Sequence, residues 1–301
     1  MTTASLLQSI QSAYPDLSKG ARRVAELIVS KPEEVALSSA AEIARQLKVS
    51  ESTVVRFASA IGFDGYPELR RTLQEDLLRH AAPADRLSKS APRRGVANSP
   101  ALRSFQADVT DLSATQRTLD LDRLNEAAEM IASANEVHIL GQRSSFGLAF
   151  TLFHHLSRMF RGIRLLDCGR GDVADQLAHL EDQDLLIGIS FPRYSRTTVE
   201  TCSIVAARGH RVISITDGPL SPLASISAVT LTAYCSAEPF ANSNVGALAT
   251  INALVAQTAV GNQPRSVRSL NRLEKLLDET GGVFRNGREA RAPSKKRGKR
   301  S

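Results

Sequence analysis

The sequence predicts an α + α/β protein, in which an all-helical domain precedes a domain with a mostly parallel sheet. Residues 1–80 carry only helical signals, whereas from Glu136 onward short apolar runs alternate with helical stretches. Such alternation is typical of parallel strands joined by helices that cover both faces of a sheet. Residues 81–104 are rich in Pro, Ala, Ser and Arg without hydrophobic periodicity, which predicts a linker.

Composition limits the classes of protein that need to be considered. Three cysteines without CxxC spacing argue against a disulfide framework or a zinc site, so we expect no metal and no cofactor. The N-terminus lacks the basic start and long apolar run of a secretion signal, which favours a cytoplasmic protein. The most apolar stretch, residues 245–260, is interrupted by polar residues and therefore predicts a core helix rather than a membrane span.

The net charge of +7 is distributed unevenly along the chain. Residues 1–80 have no net charge and residues 105–284 carry −4, whereas residues 81–104 carry +4 and residues 285–301 carry +7. The excess positive charge thus lies in the linker and in a basic tail that we expect to be disordered. This tail either attracts DNA phosphates or is merely a solvated end, and the charge alone does not decide between them.

Residues 38–63 predict two short helices joined by a tight turn. Ser39 and Glu42 have the spacing of a capping box, and Ser50 is placed to cap the second helix. The apolar face of that second helix follows the i, i+3, i+4, i+7 pattern and consists of Val54, Phe57, Ala58 and Ile61.

The start of the second helix carries the residues that we predict to contact DNA. They are Ser50, Glu51, Ser52, Thr53 and Arg56. Small hydroxyls and a forked cation at the start of a docked helix suit base edges and phosphates. An ordinary helical hairpin with a solvated polar face has the same periodicity, so this pattern alone leaves both interpretations open.

The order of motifs in the helical domain resembles the N-terminal domain of RpiR-type bacterial transcriptional regulators. The resemblance covers residues 5–77 and is most specific in the run SESTVVRF, in Gly62-Phe63 and in Gly65-Tyr66-Pro67. It implies that residues 1–80 form a helix-turn-helix domain that binds double-stranded DNA at an operator.

The second half predicts helices near residues 105–119 and 121–134, followed by strands and helices in alternation. The strands are VHIL, IRLL, DLLIGIS, RVISIT and AVTLTA, and the helices between or after them cover residues 146–160, 173–180, 198–208 and 244–260. Ligands of such sheets bind beyond the carboxyl ends of the strands.

Two strand ends carry an unusual number of polar residues and predict a ligand site. The first loop contributes Gly141, Arg143, Ser144 and Ser145, and the second contributes Ser190, Arg193, Ser195, Arg196 and Thr198. Hydroxyls, cations and free amides at helix N-termini bind anions without a metal. The serines and threonine of either loop also fit simple helix caps. Two such loops together favour a small phosphorylated or carboxylated ligand.

The second half resembles the SIS (sugar isomerase) domain over residues 124–262. Gly141 and Ser145 match the Gly-x-Gly-x-Ser loop of that family, with Arg143 in place of the second glycine. Ser195, Thr198 and Glu200 match the second loop, and Arg196 stands where glycine is usual. The resemblance implies a SIS-type α/β domain that holds a sugar phosphate. The arginines and the longer second loop indicate a more cationic pocket that also suits a different acidic metabolite.

The leading hypothesis is a transcriptional regulator that responds to a small acidic effector. One helix-turn-helix discriminates too little between sequences, so we expect a homodimer or homotetramer on a repeated site. The main alternative is an aldose–ketose sugar-phosphate isomerase, whose general base would have to be Glu200, Glu238, His154 or His155. A nucleoid-type DNA binder that relies on the basic tail is a third possibility.

Overall fold

The computed structural model has a helical domain followed by a five-stranded parallel sheet, each with its own hydrophobic core. This order and the parallel sheet confirm the fold class predicted from the sequence. The structure describes residues 6, 9–10, 13–89, 99–167, 173–219, 221–236 and 241–282. Part of the predicted linker (residues 90–98), Glu238 and the basic tail at residues 285–301 lie outside these ranges.

The helical domain contains five helices between residues 19 and 80. They are α1 (Lys19–Ser30), α2 (Pro32–Leu37), α3 (Ala40–Leu47), α4 (Glu51–Ala60) and α5 (Tyr66–His80). Helices α3 and α4 are the two predicted by the hairpin motif. The sequence analysis does not predict helix α2, because Lys31-Pro32 is typical of a helix end. In the structure Pro32 is the first residue of a new helix, a position that proline favours.

Side-chain caps fix the ends of the two hairpin helices. The Ser39 side chain accepts a hydrogen bond from the Glu42 amide at 3.3 Å, and Glu42 Oε2 accepts one from the Ser39 amide at 2.6 Å, which completes the capping box. Lys48 ends α3 with a left-handed φ of 50°. Ser50 Oγ then accepts a hydrogen bond from the Thr53 amide at 3.2 Å and begins α4. The turn between the helices is therefore set locally.

Helix α5 completes the hydrogen bonding of the C-terminus of α2. Tyr66, Arg70 and Gln74, which recur every four residues on one face of α5, donate to backbone carbonyls of residues 35–38. The last carbonyls of a helix have no partner within the helix, and each buried one left unpaired costs about 1–3 kcal/mol. This stripe of donors therefore fixes α2 against α5.

The predicted linker is partly helical. Helix α6 (Pro83–Lys89) lies within it, and α7 (Pro100–Arg117) begins in its last residues rather than near residue 105. Both helices begin at a proline. Prolines in a segment without periodicity predict a break in helical structure, but proline is also favoured at the first position of a helix. Only residues 81 and 82 separate α5 from α6.

The sheet has the strand order β2-β1-β3-β4-β5, and every pair of neighbours is parallel. The strands are β1 (Val137–Gly141), β2 (Ile163–Leu165), β3 (Leu185–Ile189), β4 (Arg211–Thr216) and β5 (Val229–Thr232). The helices around them are α8 (Leu121–Ser133), α9 (Ser145–Ser157), α10 (Val173–Gln176), α11 (Arg196–Ala207), α12 (Val245–Gly261) and α13 (Gln263–Thr280).

Helices cover both faces of the sheet. Side chains of α8, α9 and α12 pack on one face, and those of α10 and α11 pack on the other. The central strand β3 alternates between the two cores, with Leu185 and Ile187 on the first face and Leu186 on the second. No helix among the described residues is long and apolar enough to cross a membrane.

The strand order reverses between β1 and β3. From β1 the chain passes to β2 on one side and then returns to β3 on the other side. The loops that follow β1 and β3 therefore diverge to opposite faces and leave a crevice between them, which is where doubly wound sheets bind ligands.

Candidate functional site

A cavity of about 350 Å³ opens at the carboxyl ends of β1 and β3. Its position coincides with the reversal in strand order. The lining consists of Pro83, Arg86, Gln142, Arg143, Ser144, Ser145, Ser190, Phe191, Pro192, Arg193, Ser195, Ala241 and Asn242. These residues come from helix α6, from the loops after β1 and β3, and from the segment that leads into α12.

The loop after β1 turns sharply into α9. The Ser145 amide donates to the Gln142 carbonyl at 3.1 Å, and the Ser145 side chain is buried at the cavity wall. Gly141 allows this turn, because a Cβ at that position would lie 2.6 Å from the Ser145 carbonyl oxygen. The glycine therefore shapes the loop and is not itself part of the lining.

The loop after β3 is held by its own hydrogen bonds. Ser190 Oγ accepts from the Ser195 amide at 3.1 Å, and Ser195 Oγ accepts from the Thr198 amide at 3.4 Å to cap α11. The Tyr194 hydroxyl donates to Asp217 at 2.8 Å. Burial and the Asp217 carboxylate raise the pKa of Tyr194, so this hydroxyl stays protonated and keeps its donor role.

Two arginines of the cavity occupy a backbone conformation that favours glycine. Arg143 has a φ of 57° and Arg193 a φ of 66°. A residue other than glycine in this region costs about 1–3 kcal/mol, and such strain is concentrated at functional sites. Both arginine side chains are exposed at the mouth of the cavity.

The structure brings most of the predicted ligand residues together but leaves out Gly141, Arg196 and Thr198. Arg196 points to solvent and pairs with Glu200, its Nε lying 2.6 Å from Glu200 Oε1. Thr198 is fully buried beneath the loop, and its hydroxyl makes no hydrogen bond to a described residue. In this conformation both residues serve helix α11 rather than the cavity wall.

Arg86 and Asn242 line the cavity although the loop motifs do not contain them. Arg86 is only 4% exposed, and its Nη1 donates to Asn242 Oδ1 at 2.7 Å. Arg86 and Arg193 both line the cavity. Burial, and then the positive charge of Arg193, lower the pKa of Arg86. Arg86 and Asn242 lie far apart in the sequence, so no periodic pattern predicts their contact.

The described lining contains no carboxylate and no imidazole. The candidate bases proposed for an isomerase lie elsewhere: Glu200 pairs with Arg196, and His154 and His155 sit on α9 away from the cavity. Glu238 lies outside the described residues. The searched part of the chain also holds no group of three or more His, Cys, Asp or Glu side chains with metal-binding geometry.

The polar start of α4 faces solvent, as a surface that contacts DNA must. Ser50, Glu51, Ser52 and Arg56 are exposed, and Thr53 is half-buried. The Ser50 hydroxyl already serves as the helix cap, and Arg56 Nε donates to the Ser52 carbonyl at 3.2 Å. The opposite face of α4 packs into the core through Val54, Phe57 and Ala58.

Comparison with known proteins agrees with both parts of this architecture. The family model of the rpiR-family helix-turn-helix domain matches residues 4–80, and that of the SIS domain matches residues 130–263. The HTH-type transcriptional regulator HexR of Pseudomonas aeruginosa is 29% identical over 231 residues, which are 75% of this chain and 78% of that protein. HexR of Escherichia coli strain K12 is 25% identical over 75% of this chain and 77% of its own.

Solved structures show the same folds. The sugar isomerase domain of an RpiR transcription factor from Sphaerobacter thermophilus is 30% identical, with a TM-score of 0.56 over 58% of this chain and 98% of that one. The Vibrio vulnificus NanR protein, solved in complex with ManNAc-6P, is 23% identical, with a TM-score of 0.56 over 91% of this chain and 98% of its own. The chain belongs to the RpiR family of transcriptional regulators, with a helix-turn-helix domain followed by a SIS domain.

Proposed function

We propose that this regulator binds operator DNA through the start of α4 and senses a phosphosugar, or a related acidic metabolite, in the cavity between β1 and β3. The observation that carries the ligand class is the charge of the lining, which contains three arginines and no described acidic residue. A cavity with this balance favours an anion over a neutral sugar.

The other groups of the lining match the remaining parts of a sugar phosphate. Four serines supply hydroxyls that donate to or accept from sugar hydroxyls and phosphate oxygens, and they are Ser144, Ser145, Ser190 and Ser195. Helices α9 and α11 begin at the two loops, so the free amides and positive dipole ends of both add to the anion site. The volume of about 350 Å³ lies in the range of small-molecule sites.

The absence of a described carboxylate or imidazole in the lining supports sensing rather than isomerisation. Isomerisation of a sugar phosphate requires a general base beside the carbons that exchange a proton. Arginine stays protonated and serine is not basic enough without such a partner. We therefore infer that the cavity holds an anion and that its occupancy alters the affinity of the protein for DNA.

The DNA-binding residues of α4 form a small surface that needs a second copy. A single recognition helix contacts only a few base pairs, so specific binding requires two helix-turn-helix domains on a repeated DNA site. We propose a homodimer or homotetramer as the operator-binding form. The NanR complex with ManNAc-6P makes sugar 6-phosphates the first class of effector to test.

The test begins with a thermal-shift screen of sugar phosphates and sugar acids against the full chain. The best stabiliser is then titrated in a gel-shift assay at fixed salt with the wild type and the Ser145→Ala/Ser195→Ala variant. We expect the variant to bind operator DNA normally and to lose the response to the effector. Its affinity for the effector should fall about tenfold or more, because two hydrogen bonds to a charged group are removed.

The matched control for this test is the Ser157→Ala/Ser203→Ala variant, which removes two exposed serines from the same helices, α9 and α11. Since Ser195 also caps α11, the double variant is expected to lose about 1 kcal/mol of stability, which thermal unfolding without ligand measures separately. An unchanged response to the effector in the Ser145→Ala/Ser195→Ala variant would reject this cavity as the sensing site.

A further inference from the structure

We propose that the DNA-contact surface extends beyond α4 to helix α1, where Lys19 and Arg23 bind phosphates at the rim of the groove that α4 enters. This inference rests on the proposed function, in which the start of α4 contacts operator DNA, and it adds a phosphate-binding site outside the hairpin. Its basis is the close packing of the first turn of α1 against the start of α4.

The first turn of α1 meets the hairpin at the point where α4 begins. A Cβ at Gly20 would lie 3.2 Å from Thr53 Cγ2 and 3.3 Å from Val49 Cγ1, so glycine permits an unusually close approach. Val49 lies in the turn before α4, and Thr53 is in the first turn of that helix. The backbone of α1 therefore lies directly against the part of α4 that we propose to contact DNA.

Two exposed cations flank Gly20 on α1. Lys19 precedes it, Arg23 follows about one turn later, and both side chains are exposed. Because residues i and i+4 are neighbours on the surface of a helix, the two side chains leave α1 on the same side. Arg22 lies on another face, with its guanidinium 5.3 Å from the centre of the Tyr14 ring. Helix α1 thus presents two neighbouring cations beside the start of α4.

The charges of α1 are separated along its length. Residues 19–23 include three cations and no carboxylate. The rest of α1 contains one charged residue, Glu26, and α2 follows with Glu33 and Glu34. Since residues 1–80 carry no net charge, the attraction of this domain for phosphates depends on where its charges lie. The positive end of α1 is the end beside α4.

The dimensions of DNA place this positive end at the phosphates. An α-helix with its side chains is about 10–12 Å across and the major groove is about 12 Å wide, so a docked helix fills the groove. An element packed against the start of that helix therefore lies at the rim, where the phosphates run. Cations at the rim fix the orientation of the protein on the duplex without discriminating between sequences. Lys19 and Arg23 thus set how α4 enters the groove.

The test compares the full-length Lys19→Gln/Arg23→Gln variant with the Lys31→Gln/Arg71→Gln variant. The control removes the same charge from two exposed positions of the same domain, at the C-terminal end of α1 and on α5. Lys31 lies about 18 Å from Lys19 along the helix axis, at about 1.5 Å per residue. The probe is the DNA duplex that the wild type enriches from a randomised library.

Gel shifts at several salt concentrations measure how steeply the affinity for this duplex falls with salt. Each phosphate contact contributes about 0.9 to the slope of log affinity against log salt, so we expect the slope to become shallower by about 2 for each bound helix-turn-helix domain. Affinity at low salt should fall about tenfold or more. The control should keep the wild-type slope to within about 0.5, and both variants should melt at the wild-type temperature because the altered side chains are exposed.

Ethylation of single phosphates in the same duplex distinguishes a direct contact from a general electrostatic effect. An ethyl group on a contacted phosphate should weaken binding of the wild type and of the control. The Lys19→Gln/Arg23→Gln variant should be insensitive at the phosphates that these two side chains bind, because the contact is already missing. A shallower slope with an unchanged ethylation pattern would overturn the direct contact.

The outcomes separate this inference from the proposed function. If Lys19→Gln/Arg23→Gln keeps the wild-type slope and ethylation pattern while Arg56→Ala loses affinity for the duplex, α1 does not bind phosphates and the proposed role of α4 stands. If both variants bind the duplex as the wild type does, DNA contact through either helix is wrong. A wild type that enriches no duplex overturns both proposals.

Discussion

At the scale of single residues, Arg143 combines a strained backbone with a place at the mouth of the cavity. Its φ of 57° lies in the left-handed region, where glycine is the residue of least cost. In the SIS domains that this half resembles, glycine stands at this position. Arginine here therefore costs conformational free energy and adds a positive charge at the mouth of the cavity. The strain and the charge are separable by substitution.

We predict that Arg143→Gly keeps or raises stability while weakening phosphate binding. Relief of the left-handed strain is expected to contribute about 1–2 kcal/mol, partly offset by the greater freedom of glycine in the unfolded chain. Chemical denaturation measures the first effect and titration with inorganic phosphate the second. Arg143→Ala, which removes the charge but retains the strain, should lose affinity without gaining stability. A stable variant with full phosphate affinity would contradict the role of this side chain.

Single residues also show how far the sequence predicts the site. Ser145 and Ser190 were predictable, because the end of a parallel strand is recognisable from its apolar run and all such ends meet at one edge. Arg86 was not, since nothing local links it to Asn242, from which it is separated by 156 residues. Thr198 and Arg196 were predicted as ligands because a motif does not reveal which side chains a helix turns away from the cavity.

At the scale of elements, helix α4 depends on its cap for both stability and orientation. Ser50 Oγ accepts the Thr53 amide, and it also lies 2.9 Å from the Ser52 hydroxyl. On the opposite side, Gly20 of α1 approaches this turn so closely that a Cβ there would lie 3.2 Å from Thr53 Cγ2. The start of α4 is therefore fixed by a hydrogen bond on one side and by close packing on the other.

We predict that Ser50→Asp folds as stably as the wild type but binds operator DNA more weakly. Aspartate caps a helix as well as serine does, whereas its negative charge repels DNA phosphates. Melting temperature and gel shift at fixed salt measure the two effects. Arg56→Ala is the comparison that leaves the cap intact and should cost about 1–3 kcal/mol of binding. If Ser50→Asp binds DNA normally, the start of α4 does not face the duplex.

The helices that the sequence predicts well are those with a long apolar stripe or a clear cap, such as α3 and α4. Of the three helices that the sequence analysis missed, α13 has 18 residues. The other two, α2 and α6, have six and seven residues and begin at a proline. Helices this short are stabilised by their tertiary contacts rather than by their own sequence. For α2 those contacts are hydrogen bonds from the side chains of Tyr66, Arg70 and Gln74 to its backbone carbonyls. No local sequence pattern predicts which carbonyls these side chains reach.

At the scale of the whole molecule, the stability of the sheet domain is tied to a buried histidine. His138 of β1 is 3% exposed, and neither ring nitrogen makes a hydrogen bond to a described residue. Burial lowers the pKa of His138, against the carboxylates of Glu136 and Asp184, which raise it, and Arg164, which lowers it further. The folded domain therefore holds the imidazole neutral.

We predict that the free energy of unfolding falls as pH is lowered from about 7 to 5. The unfolded histidine binds a proton near pH 6.5, whereas the folded one does so only at lower pH, so acid favours unfolding across that window. His138→Val should flatten this slope, whereas His179→Asn, at an exposed position, is the matched control. Denaturant titrations at several pH values make the measurement. An equal slope in His138→Val and the wild type would refute the assignment.

The contacts between α7 and the segment before α12 also determine when the cavity forms during synthesis. Asp111 accepts from Ser236 across 125 positions of sequence, and Asp108 accepts from Ser243 across 135. A ribosome releases the helix-turn-helix domain first, and domains generally fold as they emerge. The cavity wall can form only after the ribosome has also released the segment before α12 and α12 itself. Each newly made chain thus passes through a stage in which its helix-turn-helix domain has folded and its cavity has not yet formed.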